Sequence, residues 1–201
     1  MEIRAIFFDL GGVCLTNGWD REQRQLVAQQ LGFDHQAFER RHQYVVDALE
    51  RGALSLDDYL RWTLFYEPRP FEPQTVVEAI FSLSQAVPGT LEIVGRLAEQ
   101  GYFLATLNNE SRELNEHRIR RFGLRTYFSA FFSSCYLGSL KPEPEHYLKA
   151  LRISQKEPQE SLFIDDRPAN VEVAQILGMR ALLYQGAEKL KADLLQLGLN
   201  L

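Results

Sequence analysis

The sequence contains 201 residues, of which 45% are hydrophobic and 24% charged, as in an ordinary globular domain with room for a modest insertion. The formal net charge of −5, with no basic run, argues against nucleic acid or an anionic membrane surface as a partner. No apolar window approaches the ~18 residues of a membrane span, and Asp9 interrupts the first apolar run. We therefore expect a cytoplasmic protein without a signal peptide or transmembrane helix.

The first predicted element is a buried strand. The run at residues 3–8 is short, apolar and rich in Ile and Phe, and it is followed by Asp9 and then Gly11-Gly12. This pattern predicts a strand that leads into a glycine loop. Cys14 follows the loop, and the second cysteine is Cys135. Because no Cys-x-x-Cys pair occurs, we exclude a zinc ribbon or thioredoxin-type motif and expect two buried, unpaired thiols.

The pattern of apolar residues changes between about residues 16 and 87. Apolar residues recur at helical spacing, which predicts four helices near residues 21–31, 37–49, 55–65 and 73–83. Ser55 with Asp58 resembles a capping box at the start of the third helix. No convincing strand occurs in this segment, so we interpret residues 16–87 as a helical cap.

From Pro88 onward, strands and helices alternate. Apolar runs predict strands near residues 102–107, 130–137, 161–164 and 181–184, and helices are expected near 91–101, 111–122, 144–151, 168–177 and 187–197. Short, continuously apolar strands separated by helices are typical of a parallel sheet covered on both faces. The expected fold is a doubly wound parallel α/β core, residues 1–15 and 88–201, with the cap inserted after the first strand.

Polar side chains end three of the predicted strands. Asp9 follows the first, Asn108-Asn109 the second and Asp165-Asp166 the fourth, while Lys141 comes shortly after the third. In a parallel sheet these groups meet at the carboxyl edge, where ligands bind. Two like charges about 4 Å apart repel by about 4 kcal/mol at an effective dielectric near 20, so the carboxylates need protons or a cation. Their oxygen atoms suit Mg²⁺.

Each feature taken alone has a simpler explanation. An Asp-Asp pair more often begins a helix, an Asn-Asn pair more often marks a turn, and a single lysine is mostly solvated. Their order along the chain and their common position at strand ends favour a functional site.

In this arrangement the chain resembles the haloacid dehalogenase superfamily of hydrolases along its whole length. Four motifs carry the resemblance: FDLGGV at residues 8–13, LNN at 107–109, GSLKPEP at 138–144 and FIDDRPANV at 163–171. The helical segment has the position of that family's cap. The Asp-Leu-Gly start is similar to that of a subgroup that includes sugar-1-phosphate phosphatases.

The resemblance implies a Mg²⁺-dependent phosphomonoesterase that acts on a small soluble phosphate ester, with a sugar phosphate as the first expectation. Asp9 would be the nucleophile that forms an aspartyl-phosphate, and Lys141 would neutralise charge. The metal would be held by Asp9, the Gly11 carbonyl and Asp165 or Asp166. The implied phosphate-binding groups are Lys141, Asn108, Asn109 and the backbone of Leu10, Gly11 and Gly12.

Gly11 departs from the family pattern. The family's phosphatases usually carry there a second Asp, which protonates the leaving oxygen and then activates water. A positioned acid–base contributes roughly 10²- to 10⁴-fold. Three outcomes are open: a substrate with a good leaving group, such as an anomeric sugar phosphate or an acyl phosphate; a substitute from the cap, the substrate or a bound water; or slow turnover.

Two other functions remain as alternatives to a phosphatase. A regulatory module would keep the phosphate and Mg²⁺ site but turn over negligibly, and Gly11 is its support. A 2-haloacid dehalogenase is disfavoured, because those enzymes usually have an aromatic residue and Gly-Thr after the nucleophile, where this chain has Leu10-Gly11-Gly12. The sequence carries no expectation about oligomeric state.

The cap contains further candidates. Five residues could line a pocket: Asn17, Trp19, Arg21, His42 and Tyr44, although Arg21 is also typical of a solvated helix position. We interpret the aromatic stripe of Tyr59, Trp62, Phe65 and Tyr66 as the core of the cap. The four histidines lack metal-ligand spacing and are interpreted as ordinary surface or partly buried residues.

Overall fold

The computed structural model describes residues 2–201 and contains one parallel five-stranded sheet. Its strands are β1 (Ala5–Phe8), β2 (Phe103–Asn108), β3 (Ala130–Ser133), β4 (Ser161–Asp165) and β5 (Arg180–Leu183). They lie in the order β3-β2-β1-β4-β5, and all neighbours are parallel. Since β1 lies between β2 and β4, the chain leaves β1 at the centre of the carboxyl edge. The predicted Rossmann-like, doubly wound sheet is confirmed.

The part of the chain that the structure describes forms ten α-helices. Four lie between β1 and β2: α1 (Arg21–Leu31), α2 (His35–Glu50), α3 (Leu56–Thr63) and α4 (Pro73–Ser82). The other six follow: α5 (Thr90–Glu99), α6 (Arg112–Arg121), α7 (Ser134–Leu137), α8 (Pro144–Ser154), α9 (Pro168–Ile176) and α10 (Ala187–Gln196). None of these helices is long and apolar enough to cross a membrane.

The two faces of the sheet are packed by different helices. Side chains alternate along a strand, so Ile6 and Phe8 pack on the face covered by α5 and α10, and Ala5 and Phe7 pack on the face covered by α8 and α9. Both faces are therefore apolar, which explains why the strands have no polar alternation. Burying a side chain such as Phe7 contributes roughly 1.5–3 kcal/mol to folding.

Helices α1 to α4 have an apolar core of their own. Phe38, Tyr59, Leu60 and Val76 are buried in it, together with Leu114 of α6. The chain enters and leaves this segment through two linkers that lie side by side. Leu15 forms an antiparallel bridge with Ala86, and Thr16 N donates to Gln85 O at 2.8 Å. The exact limits of the cap, residues 16–87, stay a prediction.

Two expectations about local structure are wrong. The predicted strand at 130–137 ends at Ser133, and the rest forms α7, which closes at Gly138 in a left-handed conformation (φ 65°). In the aromatic stripe, only Tyr59 and Phe65 pack in the cap core. Trp62 and Tyr66 are exposed. Trp62 lies away from the buried face of α3, and Tyr66 follows the end of that helix at Thr63. Cys14 and Cys135 are buried and unpaired, as predicted.

Candidate active site

Three carboxylates converge at the carboxyl edge of the sheet. Asp9 follows β1, Asp165 ends the neighbouring strand β4, and Asp166 is next in the chain. One oxygen atom of each lies within 4.8 Å of those of the other two. Asp9 and Asp165 are buried and Asp166 is half-buried. The parallel pairing of β1 with β4 thus brings together the groups that the sequence singled out.

Lys141 contacts two of these carboxylates. Its Nζ lies 3.0 Å from Asp9 Oδ1 and 2.5 Å from Asp165 Oδ2. Asp165 also accepts hydrogen bonds from Asn170 Nδ2 at 3.0 and 3.1 Å and from the backbone N–H of Arg167 at 2.8 Å. One ammonium group does not balance three carboxylates, so the cluster keeps an excess of negative charge.

The cluster fits a divalent cation. Asp166 Oδ1 is buried and has no hydrogen-bond partner among the described residues. Burial raises the pKa of Asp9, and Asp165 and Asp166 raise it further, against the attraction of Lys141. Burial and the charge of Asp165 likewise raise the pKa of Asp166. A hard cation bound by these oxygens would remove the repulsion and favour the ionised forms.

The two asparagines after β2 are held by protein groups. Asn109 exchanges two hydrogen bonds with the backbone of Lys141: its Nδ2 donates to the carbonyl at 2.9 Å, and its Oδ1 accepts from the N–H at 2.8 Å. Asn108 accepts from Ser133 Oγ at 2.9 Å and donates to Asn115 Oδ1 at 3.2 Å. Asn109 therefore positions Lys141, and Asn108 is buried with its amide bound to these two protein partners.

The loop after β1 contains two glycines, Gly11 and Gly12, whose surroundings differ. Gly12 has a φ of +78°, and a Cβ there would lie 2.3 Å from Asp166 Oδ2, so only glycine lets Asp166 approach. At Gly11 a Cβ would meet its nearest neighbour, Asn17 Oδ1, at 3.5 Å, which is ordinary contact. The amides of Leu10 and Gly12 bond to Asp9 Oδ1 and to Leu15 O. Among the described residues, the Gly11 amide has no partner.

Asp9 and Lys141 line a cleft of about 250 Å³ between the core and the cap. Four of the five predicted pocket residues line it: Asn17, Trp19, Arg21 and His42. Tyr44 does not; its side chain is 87% exposed. His42 and Val46 are one turn apart on the cleft side of α2, whereas Tyr44 is half a turn away and points outward.

A chain of hydrogen bonds fixes the cap wall of the cleft. Trp19 Nε1 donates to Tyr59 Oη at 2.9 Å, and Tyr59 Oη lies 2.8 Å from His42 Nδ1. Burial and the nearby Arg24 guanidinium lower the pKa of His42 to about 4. The imidazole is therefore neutral at physiological pH.

Arg118 is a buried residue that was not among the candidates predicted from the sequence. From α6 it donates to Glu110 Oε2 at 2.9 Å, to Ser84 Oγ at 3.0 Å, and to the carbonyls of Thr16 and Asn17 at 3.0 and 2.9 Å. One guanidinium thus fixes both linkers of the cap. No local pattern around Arg118 reveals these contacts, since its partners lie on three separate segments.

Other residues of the cleft were also not predicted from the sequence. Among them are Glu50, Glu110, Arg167 and Asn170. For Glu50 a signal exists, because it follows His42 and Val46 at four-residue spacing and so shares their face of α2. Asn170 lies one turn into α9, close after the acidic pair.

Comparisons with known proteins identify similar sequences and a similar fold. A sequence model of the haloacid dehalogenase-like hydrolases matches residues 3–178. The chain is 32% identical over 167 residues to flavin mononucleotide hydrolase 1 of Arabidopsis thaliana, which covers 82% of this chain and 66% of the relative. It is 31% identical over 109 residues to the phosphoglycolate phosphatase of Aquifex aeolicus, covering 54% and 50%. The chain thus spans two thirds or less of the length of these relatives.

Among solved structures, the fold is similar to that of a HAD family enzyme from Bacteroides thetaiotaomicron. The TM-score is 0.79 at 22% sequence identity, and the match covers 92% of this chain and 95% of the other. That enzyme was crystallised in complex with magnesium and inorganic phosphate.

Proposed function

The chain belongs to the haloacid dehalogenase-like hydrolases, and from that premise we propose that it is a Mg²⁺-dependent phosphomonoesterase of small phosphate esters. The observation that carries the proposal is the cluster of Asp9, Asp165 and Asp166, with Lys141 bound to the first two, beside a cleft that Asp9 and Lys141 line. Two relatives, a flavin mononucleotide hydrolase and a phosphoglycolate phosphatase, act by name on phosphate esters, which supports it.

Asp9, Asp165, Asp166 and the Gly11 carbonyl are the groups proposed to hold Mg²⁺. The bound ion would offset the charge of the phosphoryl group during transfer. The unpartnered Oδ1 of Asp166 and the magnesium and phosphate bound by the Bacteroides enzyme support this assignment.

In the proposed reaction Asp9 attacks phosphorus while the ester P–O bond breaks, and water then hydrolyses the aspartyl-phosphate. Lys141 favours the ionised form of Asp9 and is near enough to neutralise phosphoryl oxygens as well. The backbone amide of Gly11 and the side-chain amide of Asn108 are proposed as donors to those oxygens. These roles rest on position alone and are tested by substitution.

The cleft favours a small, polar substrate. Its volume of about 250 Å³ is below the roughly 300–1,000 Å³ of pockets that enclose drug-sized ligands. Arg21 and Arg167 line it and make no side-chain hydrogen bond or ion pair among the described residues. They are free to contact hydroxyl or anionic groups of the substrate body, which is compatible with a sugar phosphate; that substrate class rests on analogy.

The test is phosphate release from a panel of phosphomonoesters, with and without Mg²⁺, by the wild type, Asp9→Asn and the control Asp57→Asn. Asp57 is an exposed cap carboxylate, so its variant should match the wild type. Asp9→Asn should lose about 10³-fold or more, because the nucleophile is removed. Release that survives in Asp9→Asn contradicts the proposal. Mg²⁺-dependent phosphate binding without release would indicate a regulatory module, and halide release from 2-haloacids without Mg²⁺ a dehalogenase.

A further inference from the structure

The proposed reaction needs a group that carries protons, and the core provides none at Gly11. Apart from Asp9, Lys141 and the arginines, four titratable side chains line the cleft: Asp20, His42, Glu50 and Glu110. Asp20 caps α1 by accepting from Gln23 N. His42 faces Tyr59 Oη, and Glu110 is bound to Arg118. Only the Glu50 carboxylate makes no hydrogen bond or ion pair within residues 2–201.

Glu50 is fixed to the core by its own backbone and by the next two residues. Its carbonyl accepts from Ser134 Oγ at 2.7 Å. The Arg51 guanidinium binds the Glu143 carboxylate and donates to Gly138 O at 3.1 Å. The Gly52 backbone lies so close to α7 that a Cβ would be 2.2 Å from Cys135 O.

This docking has a consequence for the cleft. Gly138 and Glu143 flank Lys141 in the chain, so the segment that holds the cap in place also carries the lysine of the site. The Glu50 carboxylate is thereby held in the same cleft as Asp9 and Lys141, although it comes from the cap.

The charges that face Glu50 come from several elements. Burial raises the pKa of its carboxyl. Arg167, Lys141 and Arg24 oppose that effect, while Asp47, one turn earlier on α2, and Glu110 across the cleft act in the same direction as burial. Burial favours the protonated form of Glu50, and the nearby cations favour its ionised form. A carboxyl with both influences is suited to giving and to taking a proton.

We propose that Glu50 is the general acid and base of this reaction, supplied by the cap in place of a carboxyl at position 11. The inference rests on the proposed phosphomonoesterase activity. The carboxylic acid of Glu50 gives its proton to the bridging ester oxygen as the P–O bond breaks and the alcohol leaves. The carboxylate then takes a proton from the water that attacks the aspartyl-phosphate. Inorganic phosphate leaves, and Glu50 is protonated again.

This assignment extends the substrate class. With a proton donor in the cleft, the enzyme is not restricted to anomeric or acyl phosphates with good leaving groups. It hydrolyses unactivated alkyl phosphates, with the leaving oxygen turned toward the cap.

The test compares Glu50→Gln with Asp57→Asn, which removes an exposed cap carboxylate outside the cleft. On glycerol 3-phosphate, Glu50→Gln should lose roughly 10²- to 10⁴-fold in kcat/KM, and Asp57→Asn should match the wild type. On p-nitrophenyl phosphate, whose leaving group needs no acid, Glu50→Gln should release one nitrophenolate per enzyme in a burst. Slow turnover should follow, because water is no longer activated.

A second readout separates catalysis from folding. Mg²⁺-dependent binding of inorganic phosphate should be the same in Glu50→Gln and the wild type within about threefold. The inference is overturned if Glu50→Gln keeps wild-type kcat/KM on glycerol 3-phosphate, or if it loses phosphate binding and shows no burst. A wild type that releases no phosphate from any ester overturns the proposed function as well, so the two failures are distinguishable.

Restoring the missing carboxyl provides a further test. The contacts around Gly11 admit a side chain, so Gly11→Asp can be combined with Glu50→Gln. We expect this double variant to hydrolyse glycerol 3-phosphate at least about tenfold faster than Gly11→Asn with Glu50→Gln, because an amide cannot carry the proton. Equal rates of the two double variants would contradict the inference.

Discussion

His146 lies on α8, close after the segment that carries Lys141, and its side chain has 0% exposure. Its Nδ1 is 3.2 Å from Ser139 Oγ, whereas Nε2 is buried without a partner among the described residues. Burial and the charge of Lys141 lower the pKa of His146 to about 3. The folded protein therefore disfavours the protonated, charged form of His146.

This burial predicts an acid-dependent loss of stability. The folded pKa is depressed, so the stabilisation is complete above the ordinary value of ~6.5, and it falls as the pH drops toward 3, because only the unfolded chain takes up the proton. Between pH 7 and 4.5, the free energy of unfolding should fall by about 2–3 kcal/mol more in the wild type than in His146→Gln. Urea unfolding at both pH values measures this difference. An identical pH dependence of the two proteins would contradict it.

Among single residues of the site, the sequence predicts some and misses others for a physical reason. Asp9 and Asp165 could be placed together because each ends or follows a strand, and parallel strands end at one edge. Helical spacing places Glu50 on the same face of α2 as His42, but the contacts of that face and of Arg118 depend on how the cap packs against the core. The roles of Asn108 and Asn109 required the structure too, because their partners lie on other segments.

Among the elements, α2 is the one that joins the cap to the site. It ends at Glu50, and the turn that follows contains Gly52 in a left-handed conformation (φ 70°) against the backbone of Cys135. Gly32, after α1, has nearly the same conformation (φ 73°), but a Cβ at this position would meet no atom within 4 Å. Gly32 and Gly52 therefore have similar backbone conformations but different surroundings.

Alanine at these two positions should have unequal effects on stability and turnover. Gly32→Ala meets only the conformational cost of a left-handed alanine, roughly 1–2 kcal/mol. Gly52→Ala meets the same cost and a backbone clash at 2.2 Å, so α2 must move away from α7 and take Glu50 with it. We expect the larger loss of stability, and a loss of turnover, in Gly52→Ala alone. Urea unfolding and phosphate release measure both effects; equal values for the two variants would show that the docking of α2 is unimportant.

The elements themselves were largely predictable, and the one clear error has a cause. Helical periodicity and Pro or Gly at the ends predict the helices within a few residues, as for α9, which begins at Pro168 and precedes Gly178. A strand is predicted over residues 134–137 because Cys135 to Leu137 are apolar. The serine hydroxyls of Ser133 and Ser134 instead bond to Asn108 and to Glu50 O, and the chain turns into α7.

For the whole molecule, the unbalanced charge of the carboxylate cluster predicts that stability depends on Mg²⁺. A cation that binds only the folded chain stabilises it by about 2.7 kcal/mol at a concentration 100 times its Kd. The thermal midpoint should therefore rise with Mg²⁺ in the wild type and in Asp57→Asn, and much less in Asp166→Asn, whose Oδ1 is proposed as a ligand. Scanning calorimetry with Mg²⁺ or EDTA measures the shift. An equal rise in Asp166→Asn would exclude Asp166 as a ligand.

The architecture could be predicted because its signals are repeated along the chain. Five apolar strand segments separated by helices allow few arrangements other than a parallel sheet. The cleft could not be predicted from the sequence in the same way. It forms between the cap and the core, so its shape depends on how the two pack together. Asn17 and His42 could be named as candidates from the sequence, but the sequence does not tell whether the face of α2 with His42 or the face with Tyr44 borders the cleft.

The pairing of the two linkers also bears on the order of folding events. β1 must find β2 across residues 9–102, and closing so long a flexible loop is costly in entropy and slow. Because Leu15 and Ala86 are neighbours, a cap that has already folded brings the two ends of the insertion together and removes most of that loop. Early folding of α1 to α4 would thus reduce the effective contact order of the sheet, which makes the insertion an aid to forming the central strand pair rather than an obstacle.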